Sequence, residues 1–252
     1  MVLGVTASRV EGISVVLPAL NEQGNVGRAV NRARAAATRL ADHVEVIVVD
    51  DGSTDCTAEE ARHAGARVVS HRRNRGYGAA LRSGFAAATQ PWIFQMDCDN
   101  QFDPEELGKL VALANEAQII IGVRTQRADD WRRIWAGHMW NQLCRFAFGF
   151  IVRDIDCGFK LLDRAAIMGL NLGSDGAGIS LELCVTARRA GFRIAEVEVQ
   201  HRRRTTGSPT GLRSNVVARG LLELYRVRRR YGGRRADTFP GSTASMDAHP
   251  HR

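Results

Sequence analysis

Short apolar runs rich in valine and isoleucine recur along the first half of the chain, each followed by a stretch with helical periodicity. The runs occupy residues 13–17, 44–49, 66–70, 92–96 and 118–122. The stretches with helical periodicity occupy residues 24–40, 55–64, 77–88 and 104–116. Continuous apolar runs that alternate with helices are typical of a parallel sheet covered on both faces. The pattern therefore predicts an α/β fold with a mostly parallel central sheet flanked by helices.

The pattern changes in the second half, where residues 131–151 mix aromatic side chains with arginines. Beyond this segment we expect, in chain order, a short strand, a helix, a second strand and a basic helix, at 158–162, 180–190, 193–199 and 212–231. Residues 1–12 precede the first apolar run and are expected to be an N-terminal extension. Residues 232–252 show no periodicity, which predicts a disordered tail. The interval 13–231 is expected to form the folded domain.

The composition is that of a globular protein, with 44% hydrophobic and 25% charged residues among 252. No apolar run approaches the roughly 20 residues that span a bilayer, and the first residues lack the features of a signal peptide. The five cysteines are widely spaced and form no CxxC pair, so we expect free thiols and no zinc site. A cytoplasmic protein is the expectation.

The net charge of +8 comes almost entirely from arginine. Guanidinium groups suit the recognition of phosphate oxygens, which nucleic acids, anionic membranes and phosphorylated small molecules all present. The excess is concentrated at one end, because residues 201–235 contain eleven arginines and one glutamate. The rest of the chain is close to neutral. This placement favours a local cationic surface over a diffusely basic nucleic-acid-binding protein.

Polar residues follow three of the predicted strands. Asn21 and Glu22 come after the first, Asp50 and Asp51 after the second, and the DCDNQ segment (97–101) after the fourth. Ligands of open α/β sheets bind beyond the carboxyl ends of the strands, so these residues are the strongest candidates for function. No glycine-rich phosphate loop of the GxGxxG or GxxxxGK[ST] type is present. A phosphorylated ligand would then be held by a metal and by arginines.

Asp97 and Asp99 alternate on an extended segment and would point the same way, presenting two hard oxygen ligands to Mg²⁺ or Mn²⁺. Gln101 lies two residues further on and would join them. The alternative is a solvated loop with chance acidic residues. For Asp50 and Asp51 the alternative is a cap for the following helix, although two adjacent carboxylates at the end of a buried strand are costly unless they face a ligand or a partner.

Four segments in order, LPALNE (17–22), VVDDGSTD (48–55), NRGYG (74–78) and DCDNQ (97–101), resemble family 2 glycosyltransferases of the GT-A fold. The chain is most similar to the subgroup that includes the dolichol- and polyprenyl-phosphate mannosyltransferases. The resemblance implies a nucleotide-sugar half at 13–122 and an acceptor half at 123–231.

On the donor side, the resemblance implies that the nucleotide sugar contacts residues from several loops: Pro18, Leu20, Glu22, Val49, Asp50, Asp51, Asp97, Cys98, Asp99 and Arg204. Either Asp50 or Asp51 would accept a hydrogen bond from the base or ribose. Asp97, Asp99 and Gln101 would hold Mg²⁺ or Mn²⁺ on the diphosphate, where the cation offsets the charge that develops on the leaving group. The implied donor is a GDP- or UDP-hexose carrying mannose or glucose.

On the acceptor side, Arg124 and Arg133 match arginines that approach the acceptor phosphate in the resembling family, and Ser208 joins them. Asp156 matches an acidic residue before Gly-Phe and would orient the acceptor or sugar, or act as general base toward a hydroxyl acceptor. Arg124, Arg133 and Asp156 are therefore the candidate catalytic residues. A cap or turn role for Asp156 is the alternative.

The segments 131–150 and 214–231 each combine apolar residues with arginines. Such segments suit an anionic membrane surface, and packing against the core is the alternative.

The leading hypothesis is thus an inverting, metal-dependent glycosyltransferase that moves a hexose to polyprenyl phosphate, bound peripherally at the inner face of the membrane. A soluble hydroxyl acceptor is the alternative within the same chemistry. A nucleic-acid-binding module and a nucleotidyltransferase are the remaining alternatives.

Overall fold

A single seven-stranded sheet organises the chain, whose computed structural model describes residues 8–125, 131–149, 152–202 and 214–232. The spatial order of the strands is β3-β2-β1-β4-β6-β5-β7. Their bounds are β1 (Val10–Ala19), β2 (Ala41–Asp50), β3 (Arg67–Ser70), β4 (Trp92–Met96), β5 (Ile119–Thr125), β6 (Phe159–Asp163) and β7 (Ile194–Gln200). Only β6 runs antiparallel to its neighbours among these strands. The predicted mostly parallel α/β sheet is confirmed.

The helices flank this sheet, and five of the eight in the described ranges fall close to the predicted intervals; the helix over 131–148 lies where the sequence indicated only a mixture of aromatic side chains and arginines. Their bounds are α1 (Val26–Thr38), α2 (Thr57–His63), α3 (Tyr77–Ala87), α4 (Leu107–Val111), α5 (Trp131–Phe148), α6 (Arg164–Met168), α7 (Ile179–Arg189) and α8 (Ser214–Tyr231). No helix within the described ranges is long and apolar enough to cross a bilayer.

The interval 104–116 differs from the single helix that its periodicity predicts. A 3-10 turn at Pro104–Glu106 leads into the short α4, and the chain then continues in turns. The amide of Ala114 binds the carbonyl of Val111, and the amide of Glu116 binds that of Leu113. These are three-residue spacings, which close tighter turns than an α-helix does. Helical periodicity does not distinguish these two windings over so short a stretch.

Helix α6 was not among the predicted elements. It is a single short helix, and the carboxylate of Asp163 caps it by accepting the amide of Ala166 at 3.0 Å. Five residues are too few to show a helical period, so the capping aspartate was its only sequence signal.

The direction of the strands determines where the polar loops meet. Strands β1, β2 and β4 are parallel, with Ala19 opposite Asp50 and Val16 opposite Gln95. Their carboxyl ends therefore lie along one edge of the sheet. Strand β6 pairs with β4 in the opposite sense, placing Phe159 opposite Met96, so its first residues arrive at that same edge. The chain thus brings loops from both halves to one end of the sheet.

Candidate active site

The loops after β1 and β2 are tied together by hydrogen bonds. The amide of Asp51 donates to the carbonyl of Ala19 at 2.9 Å, and the amide of Asn21 donates to the Ser53 hydroxyl at 2.9 Å. In return, the Asn21 side chain accepts the amide of Thr54 at 2.9 Å. Asn21 has a φ of 54°, a left-handed conformation that asparagine tolerates better than most residues. These bonds give the two loops a fixed relative position.

The two adjacent aspartates after β2 have different surroundings, although both are buried. One Asp50 oxygen accepts the amide of Ser53 at 3.0 Å, which closes a local turn. Among the described residues, its other oxygen has no hydrogen-bond partner. Asp50 therefore keeps an acceptor for a donor group of a ligand.

Asp51 is instead surrounded by donors from the protein. Its carboxylate accepts the amides of Arg75 and Gly76 at 2.9 and 2.8 Å and lies 2.6 Å from Nδ1 of His71. The other ring nitrogen of His71 lies 2.9 Å from the Ser83 hydroxyl. Asp51 thus holds the loop between β3 and α3 in place. Of the two predicted nucleotide contacts, Asp50 fits direct contact and Asp51 fits support of the neighbouring loop.

Asp97 and Asp99 follow β4 at the same edge. Burial and the nearby Asp99 carboxylate raise the pKa of Asp97 to about 6. The Tyr77 hydroxyl donates to Oδ1 of Asp97 at 2.8 Å. Asp99 accepts the backbone amide of Gln101 at 3.1 Å. The two carboxylates are therefore close enough to repel each other, which a divalent cation between them would relieve.

The Asp97 and Asp99 carboxylates are suitable ligands for a hard divalent cation that also binds a diphosphate. Within the described part of the chain, no group of three or more histidine, cysteine or acidic side chains is arranged to hold a metal. Mg²⁺ and similar ions are commonly held by one or two carboxylates, with substrate phosphates and water completing the shell. Asp97 and Asp99 would hold the cation in this way, and the donor phosphates would supply the remaining oxygens.

Gln101 has a contact that its sequence position did not reveal. Its side-chain amide donates to the carbonyl of Arg202 at 3.0 Å, and the backbone amide of Arg202 donates to the carbonyl of Gln101 at 2.8 Å. The Arg202 guanidinium also binds Asp103 at 2.6 Å. Gln101 therefore anchors the chain just before residues 203–213. Its predicted role as a metal ligand stays a prediction.

The remaining donor-side residues lie around these acids. Pro18 and Val49 are buried near the ends of β1 and β2, Glu22 is partly buried, and Leu20 is 40% exposed. Cys98, which lies between the two aspartates in the sequence, is buried. Burial and the surrounding carboxylates raise the pKa of its thiol well above the usual range, so it is not a thiolate.

On the acceptor side, Arg124 forms a two-pronged ion pair with Asp154. Its Nε and NH2 atoms each lie 2.7 Å from a carboxylate oxygen of Asp154. Burial opposes the charge on Arg124, but Asp154 outweighs this effect and raises the pKa of the guanidinium. Asp154 was not predicted as a site residue; its only sequence signal was its position two residues before Asp156.

The other predicted acceptor residues are less closely described. Asp156 is exposed and lies close enough to Arg124 for their charges to interact. Arg133 belongs to α5, with its side chain outside the described part of the chain. Arg204 and Ser208 also lie outside the described residues.

The model of the glycosyl transferase family 2 matches residues 14–170, which include all four of the segments that carry the sequence resemblance. The chain belongs to this family. It is therefore a glycosyltransferase, and the resemblance drawn from the four sequence segments is confirmed at the level of the family.

Solved structures similar to this family 2 glycosyltransferase include glucosyl-3-phosphoglycerate synthase from Mycobacterium tuberculosis. Its complex with Mn²⁺, UDP and glucosyl-3-phosphoglycerate is 26% identical, with a TM-score of 0.70, covering 90% of this chain and 82% of that chain. Its complex with Mn²⁺, UDP-glucose and phosphoglyceric acid is 25% identical with a TM-score of 0.71, over the same shares of the two chains. A further mycobacterial protein is 27% identical, with a TM-score of 0.69, covering 88% of this chain and 75% of that one. The matches place the GT-A glycosyltransferase fold over nearly the whole chain.

Proposed function

We propose that this glycosyltransferase moves a glucosyl group from UDP-glucose to a hydroxyl group of a small phosphorylated acceptor such as 3-phosphoglycerate. The observation that carries the proposal is the pair of adjoining carboxylates, Asp97 and Asp99, at the end of β4. The similar structures that hold Mn²⁺ and UDP-glucose support Mn²⁺ as the cation and UDP-glucose as the donor. This acceptor is the soluble alternative to polyprenyl phosphate.

The donor side of the reaction follows from the charges at the edge of the sheet. Asp97 and Asp99 would hold a cation, which when bound would supply Lewis-acid assistance to the departing diphosphate. Asp50 offers a carboxylate oxygen to a donor group of the nucleotide. The hydrogen bonds between the loops after β1 and β2 limit the movement of these groups. Less conformational entropy is therefore lost when the nucleotide sugar binds.

On the acceptor side, Asp156 deals with the proton of the attacking hydroxyl and Arg124 with the acceptor phosphate. Asp156, exposed beside Arg124, accepts the proton of the attacking hydroxyl, while the glycosidic bond breaks and its electrons leave with UDP. Direct attack of this kind inverts the anomeric centre. Arg124, held by Asp154, would neutralise part of the charge of the acceptor phosphate.

The experiment is a transfer assay with the full chain, labelled UDP-glucose and Mn²⁺. The acceptors are 3-phosphoglycerate, glycerol 3-phosphate and a polyprenyl phosphate. Transfer to 3-phosphoglycerate is expected, with loss in excess EDTA and at least a hundredfold loss in Asp99→Asn. Asp42→Asn, an exposed carboxylate paired with Arg9, is the matched control and keeps full activity.

Three results would contradict parts of the proposal. Transfer to polyprenyl phosphate alone overturns the acceptor, and no reaction with any nucleotide sugar overturns the donor as well. The anomeric configuration of the product, read by NMR, tests inversion, because a product that keeps the α configuration excludes direct attack assisted by Asp156.

A second candidate, transfer to polyprenyl phosphate at a membrane surface, is favoured by exposed apolar side chains on two helices. On α5, Met139, Leu143 and Phe146 share one face, and Phe146 is 91% exposed. On α8, the exposed apolar residues Leu221, Leu222 and Tyr225 are followed by four exposed arginines, at positions 226, 228, 229 and 230. Apolar side chains next to cations suit the interface of an anionic bilayer.

Vesicle flotation tests this second candidate and with it the peripheral membrane location. The full chain should float with vesicles containing phosphatidylglycerol, and Phe146→Glu should reduce the bound fraction severalfold. Met168→Glu changes an exposed apolar residue on α6 instead and is the matched control. Equal binding of the Phe146→Glu variant, or no binding by the unaltered chain, contradicts it.

A further inference from the structure

A tyrosine that has no role in the chemistry above contacts one carboxylate of the pair, that of Asp97. We propose that Tyr77 is a positioning residue: its hydroxyl fixes the orientation of the Asp97 carboxylate and so strengthens the binding of Mn²⁺ together with UDP. The inference rests on the proposed function, since it takes Asp97 to hold the cation. The sequence places Tyr77 in the NRGYG segment, which was part of the family resemblance, but neither its spacing nor its residue type assigned it a task.

Two hydrogen bonds determine the direction of the Tyr77 hydroxyl proton. The hydroxyl lies 2.8 Å from Oδ1 of Asp97, and the side-chain amide of Gln95 donates to the hydroxyl oxygen at 3.1 Å. Gln95 is only 1% exposed, so water does not compete with this bond. Because Gln95 fills an acceptor position of the hydroxyl, the phenolic proton is left for Asp97. The contact is therefore a directed hydrogen bond to a carboxylate, which is stronger than one between neutral groups.

The backbone around Tyr77 is anchored on both sides. Tyr77 is the first residue of α3, and the preceding Gly76 has a φ of 102° and donates its amide to Asp51 at 2.8 Å. On the following side, the amide of Gly78 donates to the carbonyl of Asp175 at 2.8 Å. A Cβ at Gly78 would lie 2.4 Å from the carbonyl oxygen of Ser174, so the contact between α3 and this loop is close. Tyr77 is thus held at a fixed distance from the end of β4.

The Asp97 carboxylate is confined on another side by Gly158, just before β6. A Cβ at position 158 would lie 2.0 Å from Oδ2 and 2.7 Å from Oδ1 of Asp97. The carboxylate therefore occupies the space that a side chain at 158 would fill. Between this backbone and the Tyr77 hydroxyl, the carboxylate has one orientation. Groups that orient a ligand in this way affect metal binding by about 10- to 100-fold in other metal sites.

The test measures Mn²⁺ binding in the presence of UDP by electron paramagnetic resonance, without turnover. Tyr77→Phe should weaken Mn²⁺ binding about tenfold. Tyr231→Phe is the matched control, because its hydroxyl also lies near two oxygen acceptors, the carbonyl of Asn171 at 2.7 Å and Glu182 at 3.0 Å, in another part of the fold. That variant should bind Mn²⁺ as the unaltered chain does.

A double-mutant cycle separates orientation from a general loss of packing. Gln95→Leu should weaken Mn²⁺ binding about threefold in the unaltered chain and have no further effect in Tyr77→Phe, because Gln95 acts only through the tyrosine hydroxyl. In the assay, Tyr77→Phe should raise the Mn²⁺ concentration for half-maximal activity about tenfold, with kcat at saturating Mn²⁺ within twofold.

The outcomes distinguish this inference from the proposed function. If the unaltered chain binds Mn²⁺ with UDP and Tyr77→Phe binds it equally well or more tightly, the positioning role is wrong while the metal site stands. Additive losses in Tyr77→Phe and Gln95→Leu also overturn it. If the unaltered chain does not bind Mn²⁺ with UDP, the proposed function fails first.

Discussion

The Asp97 carboxyl group is harder to ionise in the folded chain than in water, because burial and the Asp99 charge both disfavour the anion. Its raised pKa means that the folded state binds a proton more readily than the unfolded state does. The stability that this group contributes is therefore fully present below the ordinary pKa of an aspartate. It is lost as the pH rises through about 6. Holding the buried Asp97 carboxylate beside Asp99 therefore lowers the stability of the folded chain near neutral pH.

The first prediction concerns Asp97→Asn in the presence of EDTA. The variant keeps an oxygen for the Tyr77 hydroxyl and removes the buried charge, so it should raise the free energy of unfolding at pH 7.5 by about 1–2 kcal/mol. Well below the ordinary pKa of an aspartate the gain should vanish, because Asp97 is then neutral in both states. Urea denaturation across this range measures it.

Asp55→Asn is the control of opposite sign. Partial burial acts to raise the pKa of Asp55, but hydrogen bonds from Thr57 outweigh this and lower it. The stability that Asp55 contributes is present above its ordinary pKa and is lost as pH falls through the lowered value. Its substitution should therefore destabilise the protein at pH 7.5. A stability gain in both variants would show a general effect of removing negative charge.

At the scale of elements, the site depends on close contacts between loops of distant sequence. The loop before β6 touches the end of β4, and the start of α3 touches the loop at 174–176. Each contact occurs at a glycine, since a side chain there would meet backbone or a carboxylate. These close contacts at glycines position the acidic residues as much as the strands that the acidic residues follow.

Gly158→Ala is predicted to reduce activity more than stability. The new methyl group would overlap the Asp97 carboxylate and break its bond to Tyr77, so kcat/KM should fall about 10- to 100-fold. Steady-state kinetics with titrated Mn²⁺ measures the loss.

The control for this substitution is Gly108→Ala in α4. The nearest atom to a Cβ there is 3.8 Å away, on Leu40. Alanine in the helix interior should leave activity unchanged and raise stability by about 0.5–1 kcal/mol. Equal activity in the two alanine variants would contradict the account of the Gly158 contact.

At the scale of the whole molecule, much of the fold was predictable because its signals are local. The apolar runs placed the strands, and the acids at their ends predicted the edge that carries the candidate site. The reversed direction of β6 was not predictable, because a five-residue apolar run indicates a strand but not whether the strand is parallel or antiparallel to its neighbours. The bonds of Tyr77 with Asp97 and of Arg124 with Asp154 join residues 20 and 30 positions apart, and spacing alone does not identify such partners.

Ligand stabilisation of the whole chain gives a further prediction. On the proposed function, the protein would supply two carboxylates and the diphosphate would complete the metal shell, so Mn²⁺ and UDP together should raise the Tm by more than the sum of their separate shifts. Thermal unfolding with each ligand, both and neither measures this. Asp99→Asn should remove the excess, and a purely additive shift would indicate separate sites.

The reversed strand also bears on incomplete chains. A product of translation that stops before β6 would contain Asp97, Asp99 and the loops after β1 and β2, yet it would leave the backbone groups along one side of β4 unpaired. That strand reads WIFQM, and an open, apolar edge of this kind readily pairs with other chains. We therefore expect fragments ending before residue 158 to aggregate instead of acting as independent nucleotide-binding domains.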